Sequence, residues 1–149
     1  VAAAAVLAYG QKVGAESADD INLAKQLNVL IGQLGVDLSN VVMNVGSAAA
    51  GYGFEYVIST MDRVKGAALS QSDAQLQMPI MTPVADEAWN VKESMASEED
   101  MPEWGSQEER GIDMEIETAV AVLASGSNAV ILKHPASVEV VSKFIKELV

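Results

Sequence analysis

Cysteine is absent from the 149 residues, histidine occurs once, at position 134, and nine lysines and arginines face twenty-one acids. Without thiolates the chain can hold no cysteine-ligated iron–sulfur cluster, no structural zinc of the usual kind and no disulfide. A reducing, cytoplasmic setting is compatible with that composition. The net charge of -12 disfavours nucleic acid and anionic membrane surfaces, and no basic cluster offsets it. Long apolar runs are missing too. The opening VAAAAVLAYG is too short to span a bilayer, lacks a basic leader region and begins without Met, so it reads as the cut end of a helix in a longer chain. Motifs of self-contained chemistry are scarce: there is no Walker A sequence and no H-E-x-x-H, and Gly51-Tyr52-Gly53 lacks the third glycine of a dinucleotide fingerprint, its place being held by Tyr56.

What is present is the patterning of an α/β fold. Val41-Val42-Met43-Asn44-Val45 needs no polar alternation, as expected of a parallel strand covered on both faces. Its one polar residue, Asn44, stands near the carboxyl end, where sheets and barrels of this class place ligand contacts. A loop of small residues then leads into a helix from Gly53 with Phe54, Val57, Ile58, Met61 and Val64 on its inner face. Upstream, Ala2 to Tyr9 reads as helix stopped by Gly10, and Lys12 to Ser17 as a short strand. Ser17-Ala18-Asp19-Asp20 has capping-box spacing before a helix whose stripe is Leu23, Leu27, Leu30 and Leu34. Downstream, Met78 to Thr82 forms a third strand, and Glu109 to Ala124 a helix with Ile112, Ile116, Val120 and Leu123 in register. Ala129 to Lys133 makes a fourth strand, and Pro135 opens a last helix striped by Val138, Val141, Ile145 and Leu148. The order is a helix followed by four βα units with right-handed crossovers. Two architectures accept it, a small doubly wound sheet or half of a (β/α)8 barrel, since a complete barrel needs roughly 250 residues.

An insertion at about residues 85–108 follows the third strand, on the side where βα loops gather. From Asp86 to Glu117 twelve acids stand against Lys92 and Arg110 alone, so most of the charge imbalance lies there. A solvated acidic loop is the plain reading. Trp89 and Trp104, two indoles in a polar stretch, read as anchors against the body or a partner. His134 reads either as a capping residue at a strand-to-helix corner or as a ligand contact, with Lys133 beside it as an anion contact or a snorkelling side chain.

GYGFEYVISTMDRVKGAAL, then LQMPI, DEAWNVKES, PEWGSQEERGI and NAVILKHPASV occur in an order and spacing that resemble the small (delta) subunit of the corrinoid/iron–sulfur protein of the acetyl-CoA decarbonylase/synthase complex. The likeness runs from about Lys12 to Leu148. It implies a TIM barrel, of which residues 1–149 are the carboxyl-terminal half. It also implies a subunit that walls the corrinoid, shares that cofactor with the large (gamma) subunit, and owns no iron–sulfur cluster. The methyl group would pass from a tetrahydropterin methyltransferase to the nickel site of the acetyl-CoA synthase subunits. Pro135, Ala136 and Ser137 after His134 fail the D-x-H-x-x-G pattern by which many corrinoid domains ligate cobalt. Asn44 and Val45 replace the Asp and Pro expected of bacterial members. Barrel logic then makes Ser17, Asn44, Ser47, Tyr52, Thr82, Lys133 and His134 the cofactor-facing candidates, with Asn44 and Tyr52 foremost because they bond corrin amides without adding charge. Two rivals stand beside this: a pterin-binding TIM-barrel methyltransferase using Asn44, and a stand-alone doubly wound binding domain.

Overall fold

The computed structural model describes residues 1–148. Helix α1 (Ala2–Tyr9) ends where Gly10 turns left-handed at φ 64° and returns its N–H to Val6. There follow β1 (Val13–Glu16), α2 (Ile21–Gln33), β2 (Val41–Asn44), α3 (Phe54–Ser70), β3 (Met81–Pro83), α4 (Val84–Ala88), α5 (Lys92–Met95), α6 (Gln107–Ala124), β4 (Ala129–Ile131) and α7 (Pro135–Leu148). The fold is α/β with short parallel strands. β1 pairs with β2 from Val13 opposite Val41 to Glu16 opposite Asn44, and β3 with β4 from Met81 opposite Ala129 to Pro83 opposite Ile131. A single bridge, Met43 to Ile80, joins the two ribbons, Met43 N–H donating to the Pro79 carbonyl at 2.8 Å. Spatial order is therefore chain order, without the reversal that a doubly wound sheet requires. No closed sheet forms among the described residues.

Side-chain alternation assigns the two faces of the sheet. Thr82 is buried, and so are Ala15, Val41, Met43 and Ile80, which form one cluster with Ile31 of α2, Val57, Met61 and Val64 of α3, Val84 of α4, Ala119 and Val122 of α6 and Val141 of α7. The opposite set, Gly14, Glu16, Ala129 and Ile131, is exposed, with Val42, Asn44, Met81 and Pro83 between. Helices thus cover one face only, which corrects the expectation that the second strand is enclosed on both sides.

Three further expectations change. Asp20, not Ser17, caps α2, its carboxylate accepting from Asn22 and Leu23 N–H. The large-aliphatic stripes are out of phase: α2 buries Ala24, Asn28 and Ile31 while Leu23, Leu30 and Leu34 are exposed, and α6 buries Gly111, Glu115, Thr118, Ala119 and Val122. In α7 only Ser137 and Val141 are buried, leaving Val138, Ile145 and Leu148 at the surface. Leu27, Ile116 and Leu123 of the expected stripes still pack, half-buried, against the edge of the core. The insertion is structured rather than loose, holding α4, α5 and a 3-10 turn at Pro102–Trp104.

Candidate functional site

The carboxyl ends of all four strands, with the loops that follow them, form one polar mouth. At its first end the groups are satisfied locally. Ser17 donates its N–H to the Asn44 carbonyl at 2.9 Å, and Asn44 Oδ1 accepts from Gly46 N–H at 3.2 Å. Gly46, at φ 104°, lies so near the β1–α2 loop that a Cβ there would sit 1.6 Å from Asp19 Oδ1. Ser47 and Tyr52 reach across to the insertion instead. Ser47 Oγ donates to Glu87 at 3.5 Å, and the Tyr52 phenol to Glu93 Oε2 at 2.6 Å. That second bond raises the Tyr52 phenol above its ordinary value and holds the Glu93 carboxyl below its own. Thr82 is buried at the end of β3 and shares its hydroxyl with Ser127 Oγ at 2.9 Å.

One guanidinium orders the insertion. Arg110, on the first turn of α6, donates from Nε to the Glu93 carbonyl at 2.7 Å and from its two terminal nitrogens to the carbonyls of Gly105 and Ala96. Its plane and the Lys92 ammonium flank the Trp104 ring, at 5.8 and 5.1 Å from the centroid. Trp89 anchors inward, as its sequence context suggests. Its six-membered ring occupies the space over Gly111, where a Cβ would come within 2.3 Å of it.

The fourth strand ends in a corner built on a buried acid. Glu115, with no exposed surface, accepts from Lys133 N–H at 2.5 Å and His134 N–H at 3.1 Å. His134 Nδ1 accepts from Ala136 N–H at 3.2 Å, so the proton belongs on Nε2, which faces Glu108 Oε1 at 3.2 Å. His134 therefore caps α7 and also lines a cavity. That cavity, about 560 Å³, is bounded by Trp89, Ser94, Met95, Gln107, Glu108, Lys133 and His134. Lys133 Nζ stands 4.7 Å from the Trp89 ring centroid, and the His134 ring stacks on that indole at 6.0 Å. Trp89 Nε1 is buried without an acceptor, a state that costs about 1–3 kcal/mol.

The family described as CO dehydrogenase/acetyl-CoA synthase delta subunit matches residues 1–144. The chain belongs to that family. Among its relatives, the acetyl-CoA decarbonylase/synthase complex subunit delta 2 of Methanosarcina acetivorans is 33% identical over 150 residues, 98% of this chain and 34% of the relative. The subunit delta of Archaeoglobus fulgidus is 33% identical over 94% of the chain and 31% of its own length. That of Methanopyrus kandleri is 37% identical over 82% and 29%. The chain thus spans about a third of the curated relatives it matches.

In this delta-family chain, sequence reasoning named residues at the strand ends but not Glu115, Glu108, Met95 and Gln107. The signal for Glu115 was its spacing of four from Gly111 and three from Thr118, a stripe of small residues with one acid on it. Among the described residues no group of His, Asp and Glu converges as a metal site, and no helix is long and apolar enough to cross a membrane.

Proposed function

We propose that this chain is part of the non-catalytic subunit that walls the corrinoid of a corrinoid/iron–sulfur methyl carrier within a cytoplasmic acetyl-CoA decarbonylase/synthase complex. Its partners on this reading are the large (gamma) subunit, which brings the corrinoid domain and the iron–sulfur cluster, the tetrahydropterin methyltransferase, and the acetyl-CoA synthase subunits. Membership of the delta family supports the assembly. The observation that carries the site is the set of uncharged hydrogen-bonding side chains at the mouth, Asn44, Ser47 and Tyr52, the last two tied to Glu87 and Glu93 of the insertion whose Trp89 and Met95 wall the cavity. Such groups suit the edge of a macrocycle rimmed with carboxamides.

The single histidine is not free for cobalt, because both its ring nitrogens are already engaged, by Ala136 and Glu108. When bound, the corrinoid supplies the metal that carries the methyl group. The residues here would orient and screen it: Asn44, Ser47, Tyr52 and His134 from the mouth, and Thr82 from behind by fixing Ser127. The same reading makes residues 1–149 half of a (β/α)8 barrel, with 85–108 its long βα loop. Chain-order parallel strands, helices on one face, and an open face ending in exposed Ile131 support it. The free outer edges of β1 and β4 would then pair with the remaining strands.

The test is reconstitution with the large subunit. Asn44→Ala and Tyr52→Phe should each lower corrinoid retention in the purified complex, and unchanged retention in both would remove the walling role. A second reading, a pterin-binding methyltransferase, is favoured by one observation, an asparagine at the end of β2. Titration with methyl-tetrahydropterin in the absence of partners separates them: the subunit reading expects no tight binding.

A further inference from the structure

The cavity beside Trp89 has an inventory of hydrogen-bonding groups that selects its occupant. Ser94 Oγ is spent on the Ala88 carbonyl at 2.6 Å, and Gln107 Nε2 on the carbonyls of Ser94 and Met95 at 3.0 and 3.1 Å. Four groups keep capacity. The Lys133 ammonium has no carboxylate within salt-bridge reach among the described residues, Trp89 Nε1 has no acceptor, Gln107 Oε1 has no donor among the described residues, and Glu108, its side chain 71% exposed, has one oxygen on His134 and the other free. Two are donors and two are acceptors, and the charges of Lys133 and Glu108 cancel. A carboxylate entering here would meet Glu108, with buried Glu115 behind; an ammonium would meet Lys133. A neutral group that both accepts and donates meets neither objection.

We propose that this cavity seats a primary carboxamide, its carbonyl accepting from Lys133 Nζ and its NH2 donating to Glu108, with the alkyl arm against Trp89 and Met95. The identity of the carrier rests on the corrinoid reading given above: the acetamide and propionamide arms of a corrin rim are such groups. Gln107 is a positioning residue, since it ties α5 to the start of α6 and so fixes the width of the opening.

The test reads the Trp89 indole N–H in nitrogen–proton correlation spectra of the full chain, assigned with Trp104→Phe. Propionamide should move that cross-peak saturably, while propionate and propylamine at matched ionic strength should not. Lys133→Met and Glu108→Ala, both at the surface, should each weaken the response about tenfold. No response, an equal response to propionate, or insensitivity to both substitutions overturns the inference. Dicyanocobinamide, which keeps the amide arms and lacks the nucleotide loop, is the second probe and should compete at the same cross-peak. A propionamide response without competition would keep the carboxamide site and sink its corrinoid carrier. Cobinamide binding that leaves the Trp89 signal unmoved would do the reverse.

Discussion

At the β1–β2 end of the mouth, polar groups answer one another within neighbouring loops: Ser17 to the Asn44 carbonyl, Asn44 to Gly46. At the β3–β4 end they are answered by side chains of α6 and the insertion rather than by the loops themselves. Glu115 of α6 holds the corner after β4, Arg110 ties three carbonyls of the insertion, and Trp89 packs on Gly111. A loop that satisfies itself keeps its shape when neighbours move and leaves little capacity over. A corner assembled from separate elements is rigid only while each element is in place, and it leaves a cavity with unmatched groups. The second kind of construction is where a ligand can add something, because its hydrogen bonds replace missing ones rather than competing with existing ones.

Replacing the buried acid should hurt most. Glu115→Leu strands the N–H groups of Lys133 and His134 and should cost about 3 kcal/mol in urea unfolding; a cost below about 1 kcal/mol would mean that the corner holds itself. Gly111→Ala should cost about 2 kcal/mol by driving a methyl into the Trp89 ring. In a Trp89→Leu background that penalty should largely vanish, a coupling that a double-mutant cycle measures. Gly46→Ala probes the other end and should cost between about 1 and 2 kcal/mol, set by backbone strain at positive φ. Asp19→Ala should not rescue it, because the exposed Asp19 carboxylate can swing aside; rescue would make the first end as interlocked as the second.

The smallest effect concerns the bridge between the two ends. Tyr52 titrates above its ordinary 10.0 and Glu93 below 4.5, each because of the hydrogen bond they share. The raised phenol gives a contribution that is present below 10.0 and lost as pH rises through its folded value. The lowered carboxyl gives one present above 4.5 and lost as pH falls through its folded value. The link therefore holds across neutral pH. In Glu93→Gln the phenolate midpoint of Tyr52, identified by difference against Tyr52→Phe, should fall; an unmoved midpoint would show that the two ends are not joined there.

Much of this was legible in the sequence. Gly10 and Pro135 marked helix ends that the structure keeps, and Val41 to Asn44 marked a strand. Apolar size misled about facing, since Leu23, Leu30 and Leu34 form a regular stripe that no described element covers, while Ala24 and Ile31 face the core. Periodicity gives the spacing of a buried face but not which of two stripes is buried. Glu115 was missed because an acid on a helix is ordinarily a surface residue, and only the unsatisfied N–H groups of a distant corner explain its burial. The cavity could not be read at all, as its walls come from four separate segments brought together by the fold.

The central claim is that the β3–β4 end of the mouth faces a corrinoid-bearing partner. Hydrogen–deuterium exchange of the full-length subunit, alone and bound to the corrinoid/iron–sulfur large subunit, tests it most directly. The account predicts slowed exchange in residues 44–52, 86–108 and 131–136, with α2 unchanged. Protection confined to α1 and α2, with the mouth exchanging as freely as before, would contradict it.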